Sequence, residues 1–184
     1  MGEAEWLHDH AQYVGRIWGN LLGVEMAARK FIAENVPHEK ALVKSQLPQL
    51  KEDDWVELNV YTRQPGLANT LDLYNKYAPA DCQVDAKALF KLRNTLGHGR
   101  MFGFGDQPMP LRLLKFGEKE KTDPDGTRRV RVEVRADMTE EWFLENLNLT
   151  DDAFDKIGRG LGPGYVRREF KPLRSPMLRN TGPH

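Results

Sequence analysis

From Glu5 to Glu34 the apolar residues keep one helical period without a break. Leu7, Ala11, Val14, Trp18 and Leu21 recur three or four positions apart, Ala28 and Ile32 continue the row, and Ile17, Leu22 and Phe31 widen it. A stripe this long specifies an amphipathic helix that must bury one side against other elements, so it commits the chain to a layered, mainly α fold. The helix is expected to stop at Asn35-Val36-Pro37, because proline biases the residue before it away from helical geometry.

Further helices obey the same logic. A short one is expected around Lys40 to Gln46, ahead of Pro48 and the acidic run Glu52-Asp53-Asp54 before Trp55. The stretch from Gly66 to Tyr77, carrying Leu67, Thr70, Leu71 and Tyr74 and closed by Pro79, predicts another. A third opens after Asp81 or Asp85, either of which can cap it, turns Ala88, Leu89, Leu92 and Leu96 inward, and ends at Gly97-His98-Gly99.

Beyond that point the period changes from 3.6 to 2. Leu111 to Phe116 is a short apolar run, and Val130, Val132 and Val134 alternate with Arg129, Arg131, Glu133 and Arg135. The charged loop GEKEKTDPDGTR with its Asp-Gly turn joins the two into a β-hairpin. Asp137 with Glu140 three residues on resembles a capping box and starts a helix through Trp142, Phe143 and Leu147. Thr150 caps one more, up to Ile157, and Gly158 onward is rich in Gly, Pro and Arg. The expected organisation is one helical domain over 1–157 with a hairpin insertion at 111–135, and a basic tail over 158–184.

At 184 residues the chain has room for one core of ordinary size. Its single cysteine, Cys82, excludes an intramolecular disulfide and any cysteine-cluster zinc site, and fits a reducing compartment. No cationic stretch followed by an apolar run opens the chain and no segment nears a membrane span, so a cytoplasmic location without membrane contact is expected.

The segment that could carry chemistry is LFKLRNTLGHGRMFG, residues 89–103, in which Arg93 and His98 are separated by four residues and Asn94 follows the arginine. With 15 arginines and 5 histidines in 184 positions, a bare R-x4-H arises by chance roughly 0.4 times, so the spacing alone is weak. The chain holds its own control: Arg179, Asn180 and His184 repeat R-N-x-x-x-H inside the Gly/Pro tail, where no helix positions them. The first copy sits on a strong amphipathic helix. Asn94 and His98 lie one turn apart on one face, Arg93 leads that face by about 100°, and Gly97 has the freedom to loosen the last turn so that all three meet one ligand.

R-N-x-x-x-H at the end of such a helix, followed by Gly99, resembles the signature of the HEPN superfamily, whose members commonly carry Asn, Asp or His after the arginine. The resemblance covers residues 5–104, and the hairpin and later helices lie outside it. It implies a HEPN-like helical bundle that usually dimerises, with the motifs of both copies lining one cleft. Many members are metal-independent endoribonucleases, often in toxin-antitoxin or phage-defence systems. Others are non-catalytic modules that bind nucleotides or partner proteins. Under this resemblance RNA or a nucleotide is the expected ligand, a second copy and an antitoxin or defence protein are the expected partners, and no metal or other cofactor is needed.

The residue types suit that chemistry. RNA cleavage by its own 2′-hydroxyl needs a base for that proton and cationic donors for the charge gathering on the phosphate. His98 would serve as base or acid because imidazole titrates near neutrality. Arg93 would present a permanently charged fork to the phosphate, Asn94 would orient the histidine or a substrate oxygen, and the flanking cations Arg100 and Lys91 are candidates for substrate contact.

Other candidates are weaker. His8-Asp9-His10 suggests metal ligation, but residues two apart on a helix face away from each other, and a solvated first turn is expected instead. The glycines at 97, 99, 103 and 105 complete no phosphate-loop pattern. Trp6, Trp18, Trp55 and Trp142 are expected as core or dimer contacts at helix-compatible positions, and Arg129, Arg131 and Arg135 as one solvated face. Neither Ser45 nor Ser175 stands in a nucleophile setting. The zero formal charge is a cancellation: residues 158–184 carry six arginines and lysines against one glutamate, a net of +5, which leaves residues 1–157 at −5. Any acidic ligand is thus expected at the Arg93–His98 cleft or along the tail.

Overall fold

The computed structural model describes residues 3–37, 39, 51–56, 58–62, 66–104, 107–163 and 165. The expected short helix at 40–46 and the second R-N-x-x-x-H copy lie outside them, as do the Trp6 side chain and the tail beyond 165. Helix accounts for 57% of what is described, so the chain is mainly α. The order is α1 (Glu3–Asn35), α2 (Leu67–Tyr77), a 3-10 turn (Ala80–Cys82), α3 (Ala86–His98), β1 (Arg100–Phe104), β2 (Gln107–Thr122), β3 (Arg128–Asp137) and α4 (Glu140–Leu161). The chain packs as two compact units, and α1, α3 and α4 each contribute to both.

Among the described residues, one unit takes in α1 up to Trp18, α3 from Lys91, the whole sheet, and α4 as far as Asn148. Its core gathers Tyr13, Ile17, Leu92, Leu113, Met138, Phe143 and Leu147. The Phe143 ring stacks on Tyr13 with centroids 5.1 Å apart and meets His10 edge-on at 4.7 Å. His10 Nε2 donates to the Met138 carbonyl at 3.0 Å, which satisfies a buried acceptor. The first turns of α1 are therefore not uniformly solvated. His8 faces outward and contacts Gln12, while Asp9 and His10 are buried, because the stripe of α1 rolls the second and third positions of His8-Asp9-His10 toward the core.

The sheet is antiparallel with order β1-β2-β3. Met101 pairs with Leu113, Leu113 with Ala136, and Phe116 with Val132. Bulges fall between Phe102 and Phe104, and on either side of Phe116. The hairpin exceeds its expected bounds of 111–135 at both ends. Its charged arms pair Glu120 with Val130 and Thr122 with Arg128, and Arg128–Glu120 and Arg129–Asp123 ion pairs brace the tip. At the turn Gly126 adopts φ +84°, its N–H bonds the Asp123 carbonyl at 2.9 Å, and the Asp125 carboxylate accepts from Thr127 N at 2.9 Å. At the opposite end Arg112 Nε donates to Asp137 at 2.5 Å and holds its carboxyl below the usual range.

That pairing explains why Asp137 does not cap α4. It closes β3, and the cap is Thr139, whose Oγ1 accepts from Trp142 N at 3.2 Å. Nor does Thr150 begin a new helix. It lies fully buried within a continuous α4, accepting from Asn20 Nδ2 at 3.1 Å, while the same amide donates to Asp151 at 2.9 Å.

The second unit comprises Gly19–Phe90 with α4 from Leu149 onward. Its centre is Tyr74 on α2, fully buried, with its hydroxyl donating to the Cys82 carbonyl at 2.9 Å and its ring edge-on to Phe31 at 4.9 Å. α4 runs through the glycines that mark a tail by composition, and Gly160 packs close on this centre: a Cβ there would come within 3.2 Å of the Tyr74 hydroxyl. Asn75 closes the α2–α3 connection, accepting from Val84 N at 2.9 Å and donating to the Val84 carbonyl at 2.8 Å. Asp85, the second of the two expected caps, caps α3 by accepting from Ala88 N at 2.9 Å, while Asp81 belongs to the 3-10 turn.

Candidate functional site

The last two turns of α3 and the first residue of β1 bring the expected residues to one end of a helix. Leu89, Leu92 and Thr95 face the interior, with the Thr95 hydroxyl bonded back to the Lys91 carbonyl at 2.7 Å. The opposite side therefore turns outward: Arg93 and His98 are exposed, Asn94 is half-buried, and Lys91 and Arg100 are exposed. Among the described residues none of these five side chains makes a hydrogen bond or an ion pair. Their polar capacity is available to a ligand.

Arg93 is nonetheless positioned. Its guanidinium carbon lies 5.9 Å from the centroid of the Trp18 ring, a cation–π contact. Gly97 makes room for the pair: a Cβ there would meet Trp18 Cη2 at 3.4 Å and Arg93 Nη1 at 4.0 Å. The arginine thus runs along the helix toward its C-terminal end, with an aromatic face behind it. Arg100 repeats the arrangement on the sheet, 5.9 Å from the centroid of Phe116.

Gly97 does not loosen the last turn. The helix stays regular to His98, so Asn94 and His98 share a face one turn apart while Arg93 sits about 140° around the axis from His98. The three do not converge within one chain. They flank a common ridge, with Asn94 and Gly97 along its crest.

The junction between α3 and β1 is sterically closed. Gly99 N donates to the Thr95 carbonyl at 2.8 Å and ends the helix. A Cβ on Gly99 would clash with that carbonyl oxygen and stand 2.6 Å from Leu113 Cδ1, a fully buried side chain of β2. Only glycine fits between the helix end and the sheet, and this fixes where His98 and Arg100 project. Trp18 is the contributor that residue order does not announce, since its place in the α1 stripe reads as packing. Of the other tryptophans expected as core or dimer contacts, Trp55 lies outside any helix and is fully exposed, and Trp142 is half-buried against Phe143 at 5.2 Å.

Comparison of the chain with models of protein families, with curated proteins and with solved structures finds no match. Among the described residues no three His, Cys, Asp or Glu side chains are grouped to hold a metal ion, and no helix is long and apolar enough to cross a membrane.

Proposed function

We propose that the protein is a HEPN-like RNA-binding protein acting as a metal-independent endoribonuclease of the toxin-antitoxin or phage-defence type, with Arg93, Asn94 and His98 as its reacting residues. The observation that carries the reading is the end of α3, where an arginine, an amide and an imidazole stand outward with no intramolecular hydrogen bond or ion pair among the described residues. Arg93 is positioned over the Trp18 ring, and the donors of all three side chains remain open to a ligand. The local charge favours a phosphate, since Lys91, Arg93 and Arg100 lie within ten residues of one another and no acid falls between them.

In this reading His98 takes the proton of the 2′-hydroxyl, whose oxygen attacks the adjacent phosphorus. The 5′-oxygen leaves with a proton from an acid, and a 2′,3′-cyclic phosphate remains. Arg93 stabilises the charge on the non-bridging oxygens, and Asn94 holds the imidazole or a ribose oxygen. Because Arg93 and His98 flank the ridge of a single helix, the complete acid–base set is drawn from two copies facing each other. Incubation of total RNA with the wild type and with His98→Ala, both with a chelator present, tests this. Cleavage by the first alone is expected, and cleavage by both alike would refute the assignment. His184→Ala is expected to cleave as the wild type does.

A further inference from the structure

The far edge of the sheet carries a second, separate signal. β3 is the outer strand, and among the described residues no strand lies beyond it. It is ten residues long, and Val130 and Val132 are 47% and 48% exposed on the face that also holds Phe116, the cross-strand partner of Val132. A long edge with exposed valines is a template for another strand unless charge guards it. Here most of the guard is cancelled. Arg128 is paired with Glu120, Arg129 with Asp123, Arg135 has Asp137 at 3.9 Å, and Glu133 holds Lys115 at 2.6 Å. Arg131 alone of the four β3 arginines has no acid among the described residues.

The order of residues supplies the missing partner. The run Arg129-Val130-Arg131-Val132-Glu133-Val134-Arg135 is close to a palindrome about Val132. In an antiparallel pair with its own copy, Val132 stands opposite Val132, Val130 opposite Val134, and Arg131 opposite Glu133, the last two pairings occurring twice by symmetry. Arg129 then meets Arg135 of the second copy, each already beside its own aspartate. We propose that β3 is a self-association edge through which two copies join their sheets antiparallel, in the register centred on Val132. In the sheet order this edge lies two strands from β1, the strand that follows the Arg93–His98 end of α3, so the proposal concerns a different surface from that site and does not rest on it.

Sedimentation of the full chain over a concentration series tests the proposal, together with disulfide trapping. Arg131→Glu turns two attractive cross-strand pairs into repulsive ones and should weaken self-association at least about tenfold. Adding Glu133→Arg in the same chain should restore it. Val132→Cys should form a disulfide-linked dimer on mild oxidation, because residues directly opposite in such a ladder lie within bridging distance, while Arg128→Cys should not. Cys82 is buried and stays out of the reaction. Circular dichroism of each variant controls for folding. A wild type that stays monomeric, an Arg131→Glu variant that associates as the wild type does, or a Val132→Cys chain that fails to crosslink would each overturn the proposal. None of these results bears on RNA cleavage by His98.

Discussion

Gly97 and Gly99 stand two residues apart at the end of α3, and replacing each by alanine should move stability in opposite directions. At Gly99 the new methyl would collide with the Thr95 carbonyl oxygen and lie 2.6 Å from Leu113 Cδ1. Neither neighbour yields cheaply, one being backbone and the other a fully buried side chain in the middle of the sheet. Overpacking of this kind costs about 1–3 kcal/mol, and at about 2–4 °C per kcal/mol for a chain of this size the midpoint should fall by roughly 2–12 °C. At Gly97 the nearest atom is the tip of Trp18 at 3.4 Å, the residue is exposed, and alanine favours the helix by up to about 1 kcal/mol. Gly97→Ala should therefore leave the midpoint unchanged or raise it. Thermal and urea denaturation of both variants against the wild type, with unchanged denaturant slopes, supplies the measurement. If Gly99→Ala proves no less stable than Gly97→Ala, the junction is not sterically closed and does not fix the direction of His98 and Arg100.

Tyr74→Phe strands the buried Cys82 carbonyl and should cost about 1–3 kcal/mol in urea unfolding. Burial raises the Tyr74 pKa, so its stabilising contribution is complete below the unfolded value near 10 and is lost as pH climbs above it; the phenylalanine variant should show a shallower alkaline decline. Along α1, Gly15→Ala and Gly19→Ala place a methyl in open space and should each stabilise by about 0.5–1 kcal/mol, whereas Gly23→Ala drives it to 2.5 Å from the Phe154 ring and should lower the melting temperature. Arg112 depresses the Asp137 pKa, so the contribution of that pair is complete above the unfolded carboxyl value near 3.9 and is lost as pH falls through the depressed folded value; Asp137→Asn should flatten that acid-side loss in a pH titration of stability.

The helices are legible where an unbroken stripe meets a strong terminator. α1 and α2 fall within two residues of their expected bounds because Pro37 and Pro79 close them, and α3 ends between the two glycines that predict its end. Legibility fails where one residue type serves two purposes. Thr150-Asp151 looks like a helix start, yet both side chains are spent on Asn20 in the middle of α4. Asp137 looks like a cap and is a strand-end ion pair, while Gly158 and Gly160 look like a chain losing structure and are close-packing positions in a helix. The β2 arm from Gly117 to Thr122 carries no apolar alternation, because ion pairs and the Gly126 turn hold the hairpin tip, so that arm leaves no period to read. β1 is short, holds Gly103, and depends on a neighbour in β2. At the candidate site the exposure of Arg93 and His98 follows from the apolar pattern of α3, but the Trp18 contact joins residues far apart in the chain and no local pattern signals it.

The protruding hairpin also bears on how this chain can vary over generations. From Glu118 to Glu133 all but Asp123 is exposed, and the turn at Asp125-Gly126 packs against nothing deeper than its own arms. Codons gained or lost at that tip would be nearly silent for folding, whereas a single codon inserted between His98 and Arg100 would shift every side chain of β1 to the other face. Length polymorphism among descendants of this gene should accordingly collect at the hairpin tip, which is also the natural place to graft an epitope or a fluorophore.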